Sequence, residues 1–182
     1  MADNRAALER GFAKANVIIR ERITKGLMYE AEKLAMKAYE TYRSPKMGFT
    51  GQTWTGTAVG VYIERRLSYY VSTKTIADMP EAVRSKLRTG KPYFLHKPYG
   101  YVMDYTGGDR KFTPTIDTDG GSSEQDAIKF LQEYKPASKY AIVVVNGSEY
   151  ANYIENVMGG DVITGTYHYA NKLRAVELVK SV

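Results

Sequence analysis

Cysteine is absent from the 182 residues, and the chain holds only two histidines, His96 and His168, and one tryptophan. Without thiols there is no disulfide framework, no thiolate metal site and no cysteine nucleophile. Two histidines leave little for imidazole catalysis or metal ligation. Neither has a carboxylate at ligand spacing, so each reads as a packed or surface residue. Long apolar runs are missing too. The longest aliphatic stretch, Ala141-Ile142-Val143-Val144-Val145, falls far short of the roughly 20 residues a membrane span needs. The N-terminus, MADNRAALERGF, carries charges where a signal peptide needs its apolar segment, which argues against that export route.

Catalytic templates are missing as well. There is no G-x-S-x-G elbow, no phosphate-binding G-x-x-x-x-G-K-[ST], no G-x-G-x-x-G and no H-E-x-x-H. Asp117-Thr118-Asp119-Gly120-Gly121 begins like a calcium loop, but its twelfth position is Ile128 where a bidentate Glu is required, so a turn is expected. Asn146-Gly147-Ser148 fits a glycosylation sequon and reads as a turn. The expectation is a protein that is not an enzyme and carries no cofactor or metal.

What is present is a globular composition, 43% hydrophobic and 25% charged, with a net charge of +6. The charge is uneven. Residues 1–43 carry nine Lys/Arg against six Asp/Glu, residues 44–139 fourteen against ten, and residues 140–182 three against four. A basic surface suits nucleic acid, an acidic partner or solubility alike.

The N-terminal segment has helical spacing. Leu8, Phe12, Ala15, Ile19, Ile23, Leu27, Ala31, Leu34, Ala38 and Tyr42 recur in steps of three and four, after a candidate cap at Asp3-Asn4 and before the stop signal Ser44-Pro45. So long a helix either supports a sheet along its length or overhangs toward a neighbouring subunit. Gly11 and Gly26 are where a bend or close packing is expected. From Val59 the period becomes two: Val59, Val61 and Ile63, then Leu67, Tyr69 and Val71, either one bent strand or a hairpin around Arg65-Arg66.

Residues 74–139 read as an insertion outside a core of about 5–72 and 140–182, all within one domain. It is expected to hold a short helix from Asp78 to Arg88 with Pro80 in its first turn. A second is expected from about Ser123 to Tyr134, with Ala127, Phe130, Leu131 and Tyr134 inward and a capping box at Ser122 and Gln125. Tyr140–Val145 reads as a strand buried on both faces and ended by Asn146-Gly147. Thr166–Lys180 reads as a final helix. The fold class is therefore α+β: a long N-terminal helix packed on a small antiparallel sheet, with an insertion and a C-terminal helix.

Within the insertion, Arg84, Arg88, Lys91 and other cations interleave with Tyr93, Tyr99, Tyr101 and Tyr105. Tyr and Arg at this density suit a protein interface, because both offer large contact area with polar tips. Plain packing is the second reading. Cations along a backbone with aromatic faces for bases, as in single-stranded nucleic-acid binding, is the third. Sixteen tyrosines against five phenylalanines favour contact surfaces.

Two segments carry a resemblance. One is Thr50-Gly51-Gln52-Thr53 after the long helix; the other is Tyr150-Ala151-Asn152-Tyr153-Ile154-Glu155 after the strand 140–145. Together they resemble the tail-completion, or head-to-tail joining, proteins of tailed bacteriophages. In that family a Thr-Gly-Asn-Leu-like turn follows a long helix, and a Tyr-Ala-x-Tyr-(Val/Ile)-Glu motif follows a sheet strand. Thr50, Gly51, Tyr150, Ala151, Tyr153, Ile154 and Glu155 match. Gln52-Thr53 departs from Asn-Leu, and Asn156-Val157-Met158-Gly159 displaces the Gly-Thr that often follows the Glu. Tyr150 and Ile154, at helical spacing, also read simply as core. The resemblance implies a structural virion protein. Its copies, six or twelve, would form a ring in the neck between the portal or adaptor protein and the tail proteins. Contact with DNA would be transient and non-specific at most, with no membrane. The alternative is a nucleic-acid-binding protein using residues 84–112.

Overall fold

A computed structural model describes residues 2–42, 55–89, 98–103, 121–148, 151 and 162–171. The architecture is α+β: a long N-terminal helix lies on a four-stranded antiparallel sheet, with a C-terminal helix beside it. Helix α1 spans Ala2–Tyr42. Strands β1 (Thr57–Ile63) and β2 (Arg66–Ser72) form a hairpin, followed by α2 (Thr73–Asp78), α3 (Glu81–Thr89) and the two-residue β3 (Tyr101–Val102). Helix α4 (Gly121–Glu133), β4 (Tyr140–Asn146) and α5 (Val162–Asn171) complete the described elements. Strand order is β3-β2-β1-β4.

The hairpin turn is Glu64-Arg65, one residue before the expected centre. Both residues have positive φ, 50° and 67°, the backbone of a two-residue turn whose twist matches the strands it joins. Left-handed backbone costs a non-glycine residue about 1–2 kcal/mol. Contacts from outside the hairpin offset this: Arg65 donates its N–H to the Lys139 carbonyl (3.2 Å) and its Nε to that of Ala137 (3.1 Å). Arg20 of α1 also reaches Glu64 at 3.3 Å.

Both faces of the sheet are covered. Val59, Val61, Tyr69 and Val71, with Ile142 and Val144, meet Leu27, Ala31, Leu34 and Ala35 of α1, and Ile76, Val83 and Leu87 of α2 and α3. On the opposite face Ala58, Tyr62, Leu67 and Tyr70 meet Ala127, Ile128 and Leu131 of α4. Leu67 was expected on the face of Tyr69 and Val71. The register instead pairs Val61 with Tyr69 and Tyr62 with Leu67, so Ser68 is an extra residue in β2, and this bulge moves Leu67 to the α4 side.

Other expectations are corrected at the same level. Residues 74–139, read as lying outside the core, supply Ile76, Val83 and Leu87 to one cluster and Ala127, Ile128 and Leu131 to the other. The helix expected from Asp78 to Arg88 is α3, which starts at Glu81 just after Pro80, and an additional helix, α2, precedes it. Pro80 holds Met79 extended (φ −68°, ψ 144°) and separates them, while Ser72 caps α2 by accepting from the Thr75 N–H. Strand β4 is covered on both faces yet half-exposed along its length, because it is outermost among the described strands. Helix α5 begins at Val162, four residues before the expected start, and residues 172–182 lie outside the described residues.

Helix α1 is continuous through both glycines. At about 1.5 Å per residue it is about 61 Å long. Residues 26–39 are buried on nearly every side, whereas residues 4–22 are exposed throughout. Of the inward stripe expected from sequence, the second half is core and the first half overhangs. Among the described residues, no helix is long and apolar enough to cross a membrane.

Candidate functional site

Among the described residues, three places hold the side chains with something to do. The first is a cluster of charges on α3, where Arg84 and Arg88 stand one turn apart. Arg84 donates to Glu81 (2.9 Å) and to the Ala77 carbonyl (2.8 Å), and its guanidinium lies 5.9 Å from the Tyr39 ring centre. Its side chain is only 17% exposed. Arg88 bridges Glu40 of α1 and Glu81. These bonds pull the Glu81 carboxyl below its usual range, and bonds to Glu81 and Glu40 raise Arg88. Two of the cations expected to face a partner thus join α1, α2 and α3 to one another.

The second place is a buried relay. Glu32 of α1 is almost wholly inside the protein, and one of its carboxylate oxygens accepts from the Tyr69 hydroxyl (2.7 Å) and the Tyr99 N–H (2.9 Å). The Tyr69 oxygen in turn accepts from the Gly100 N–H at 2.9 Å. Burial raises the Glu32 carboxyl, and the bonds from Tyr69 and Tyr99 partly oppose it; burial and the Glu32 charge push the Tyr69 hydroxyl far up. Nearby, burial first and then Glu30 push Tyr29 up to about 12. The relay fastens residues 98–103 to α1 and β2, and so sets where Tyr99 and Tyr101 emerge. Tyr101 stacks on Tyr70, ring centres 5.0 Å apart, and remains half-exposed. Nothing in the sequence singles out Glu32, which sits among helical charges like any surface residue.

The third place is the outer surface of α1 and α4. On the overhang Leu8, Phe12 and Ile19 are 62%, 62% and 53% exposed. On α4, Phe130 and Tyr134 were expected inward with Ala127 and Leu131. Instead Ile128 takes an inward place, and Phe130 is 46% exposed, stacked at 5.6 Å on Tyr134. Tyr134 follows the helix, is 40% exposed and also meets the buried Tyr62 ring edge-on at 5.9 Å. The inward arc is Ala127, Ile128 and Leu131, which leaves position 130 on the flank of the helix, partly in water.

Lys91, Tyr93 and Tyr105 lie outside the described residues, as do His96, Thr50, Gly51, Tyr150, Tyr153, Ile154, Glu155 and the loop at Asp117. Ala151 is half-buried and donates its N–H to the Ser148 carbonyl (3.0 Å). His168 is exposed on α5. Among the described residues no group of three or more His, Asp or Glu could hold a metal ion. Comparisons with protein-family models, with curated proteins and with solved structures found no match.

Proposed function

We propose that the chain is a structural protein of a tailed-phage virion. Its copies would form a ring in the neck or tail that joins the portal-adaptor region to the tail and leaves a passage for DNA. The observation that carries this reading is the division of α1. Half of a 41-residue helix anchors the sheet, and half projects from it with an apolar stripe in water. A ring repeats one heterologous contact around an axis, so each subunit needs two different complementary surfaces. A projecting arm and a folded body meet that need. The order of elements, long helix, hairpin, strand and C-terminal helix, is the order the resemblance implies.

The charges of α3 fit a rigid building block better than a nucleic-acid grip, since Arg84 and Arg88 already hold carboxylates of this chain. Modest charge also suits a passage through which DNA must slide rather than stick. The test is gold labelling of virions of the encoding phage with an antibody to this chain, viewed by electron microscopy. Label where head meets tail is expected. Absence of the chain from intact virions, by immunoblot of the same preparation, overturns the reading and turns attention to DNA titration of the 84–112 stretch.

A further inference from the structure

The overhang of α1 is an unusual thing to leave in water. An isolated helix of some 20 residues is marginal on its own and is normally held by tertiary packing of its apolar face. Residues 4–22 are exposed along their whole length. Leu8, Phe12 and Ile19 together offer on the order of 300 Å² of apolar surface on one side of the helix, within the range of a monomer's largest patch. Leu8, Phe12, Ala15 and Ile19 follow a four-three-four spacing that aligns them in one stripe, with Arg5 and Arg22 continuing the stripe at its ends. Residues 2–22 carry five basic side chains against three acidic.

The outer face of α4 is the opposite in charge and alike in shape. Asp126, Phe130 and Glu133 stand at i, i+4 and i+7, so the exposed ring lies between two carboxylates, with Tyr134 stacked beside it. The outer face of α4 carries Asp126 and Glu133 against Lys129. Two overhangs side by side would bring like charges together. An overhang on α4 brings opposite charges together and covers both exposed apolar stripes at once.

We propose that the projecting half of α1 docks on the outer face of α4 of a second copy of this chain, head to tail, with Phe12 and Phe130 at the centre of the contact. The inference rests on the reading of the chain as a self-assembling ring component, and it names the two faces. An aromatic residue at the centre of such a contact is the kind whose loss weakens association about thirtyfold or more.

The experiment uses two full-length variants, Phe12→Glu on the arm and Phe130→Glu on the body. Both positions are exposed, so circular dichroism and the unfolding midpoint of each should match the wild type. Sedimentation velocity over a concentration series up to the millimolar range then reads assembly. The wild type is expected to grow into larger species, and each variant alone to remain monomeric. Mixed, the two are expected to form a one-to-one heterodimer that grows no further, because each supplies the face the other lacks. Assembly of Phe130→Glu on its own would point to pairing between arms and overturn the proposal. So would unaltered assembly of both variants, or a wild type monomeric at every concentration. The labelling of virions is independent of all three results, so a failure of this contact is distinguishable from a failure of the neck assignment.

Discussion

Replacing Tyr69 with Phe removes one oxygen atom and leaves a fully buried ring where it was. That oxygen makes two bonds at once, donating to Glu32 at 2.7 Å and accepting from the Gly100 N–H at 2.9 Å. A hydrogen bond to a charged group contributes about 1.5–3 kcal/mol and a neutral one about 1 kcal/mol. The expected loss is therefore about 2.5–4 kcal/mol, a large share of the 5–15 kcal/mol that holds a typical fold, roughly. In urea, with a slope of about 2 kcal/mol per molar, the unfolding midpoint should fall by about 1–2 M. Amide exchange at Tyr99 and Gly100 should quicken more than elsewhere in the sheet. Glu32→Gln and the double variant complete a cycle with an expected coupling of about 1–2 kcal/mol. A midpoint shift below about 0.3 M, or additive single effects, would refute the idea that this relay holds residues 98–103 in place.

The same carboxylate sets a pH dependence. Burial raises Glu32 in the folded chain above its unfolded value, so the folded state binds the proton more readily. The charge-burial penalty is full at neutral pH and is relieved as pH falls through the raised value. Glu81 has the opposite sign: its lowered carboxyl contributes stability above the ordinary glutamate range that is lost as pH falls through the lowered value. Urea midpoints from neutral to acid pH should show Glu32→Gln removing a gain on acidification and Glu81→Gln removing a loss. Parallel curves for both variants and the wild type would contradict this. A Cβ at Gly147 would lie 2.1 Å from the Ser123 carbonyl oxygen and 2.5 Å from the Ala127 nitrogen, both backbone of α4, whereas at Gly60 the nearest atoms are side-chain ends of Leu131 and Leu67 at 2.9 and 3.0 Å. Thermal melts should therefore show Gly147→Ala costing more than the about 1–3 kcal/mol of ordinary overpacking, and Gly60→Ala costing less than Gly147→Ala. Gly11 has open space around it, so Gly11→Ala should stabilise the overhang locally by about 1 kcal/mol. Slower amide exchange over residues 5–20 with an unchanged global midpoint is the expected result.

How much of this was legible from sequence depended on whether the deciding force was local. Helical spacing from Leu8 to Ala38 gave the long helix, and alternation from Val59 to Val71 gave the strands, because backbone period and side-chain direction are properties of neighbouring residues. Asn146-Gly147 ended β4 for a local reason too, since the Asn146 side chain accepts from the Ser148 N–H at 2.8 Å. Pro80 marked the start of α3 from sequence, whereas α2 on its other side was not expected and is capped by Ser72 from the end of a strand. The candidate site was less legible. Arg84 and Arg88 look like partner-seeking cations until Glu40, 48 residues from Arg88, and Glu81 are brought beside them.

What the sequence determined by itself is the α+β class, the long N-terminal helix, the period of β1 and β2, and the shortage of thiol and imidazole chemistry. Only the tertiary structure decided which half of the α1 stripe is covered. Leu8, Phe12 and Ile19 have the same spacing as Leu27, Ala31 and Leu34, and nothing local tells them apart. It alone sent Leu67 across the sheet, turned Phe130 outward and buried Glu32 beside Tyr69. The physical reason is the same in each case: periodicity says which residues share a face, but burial depends on what the rest of the chain lays against it.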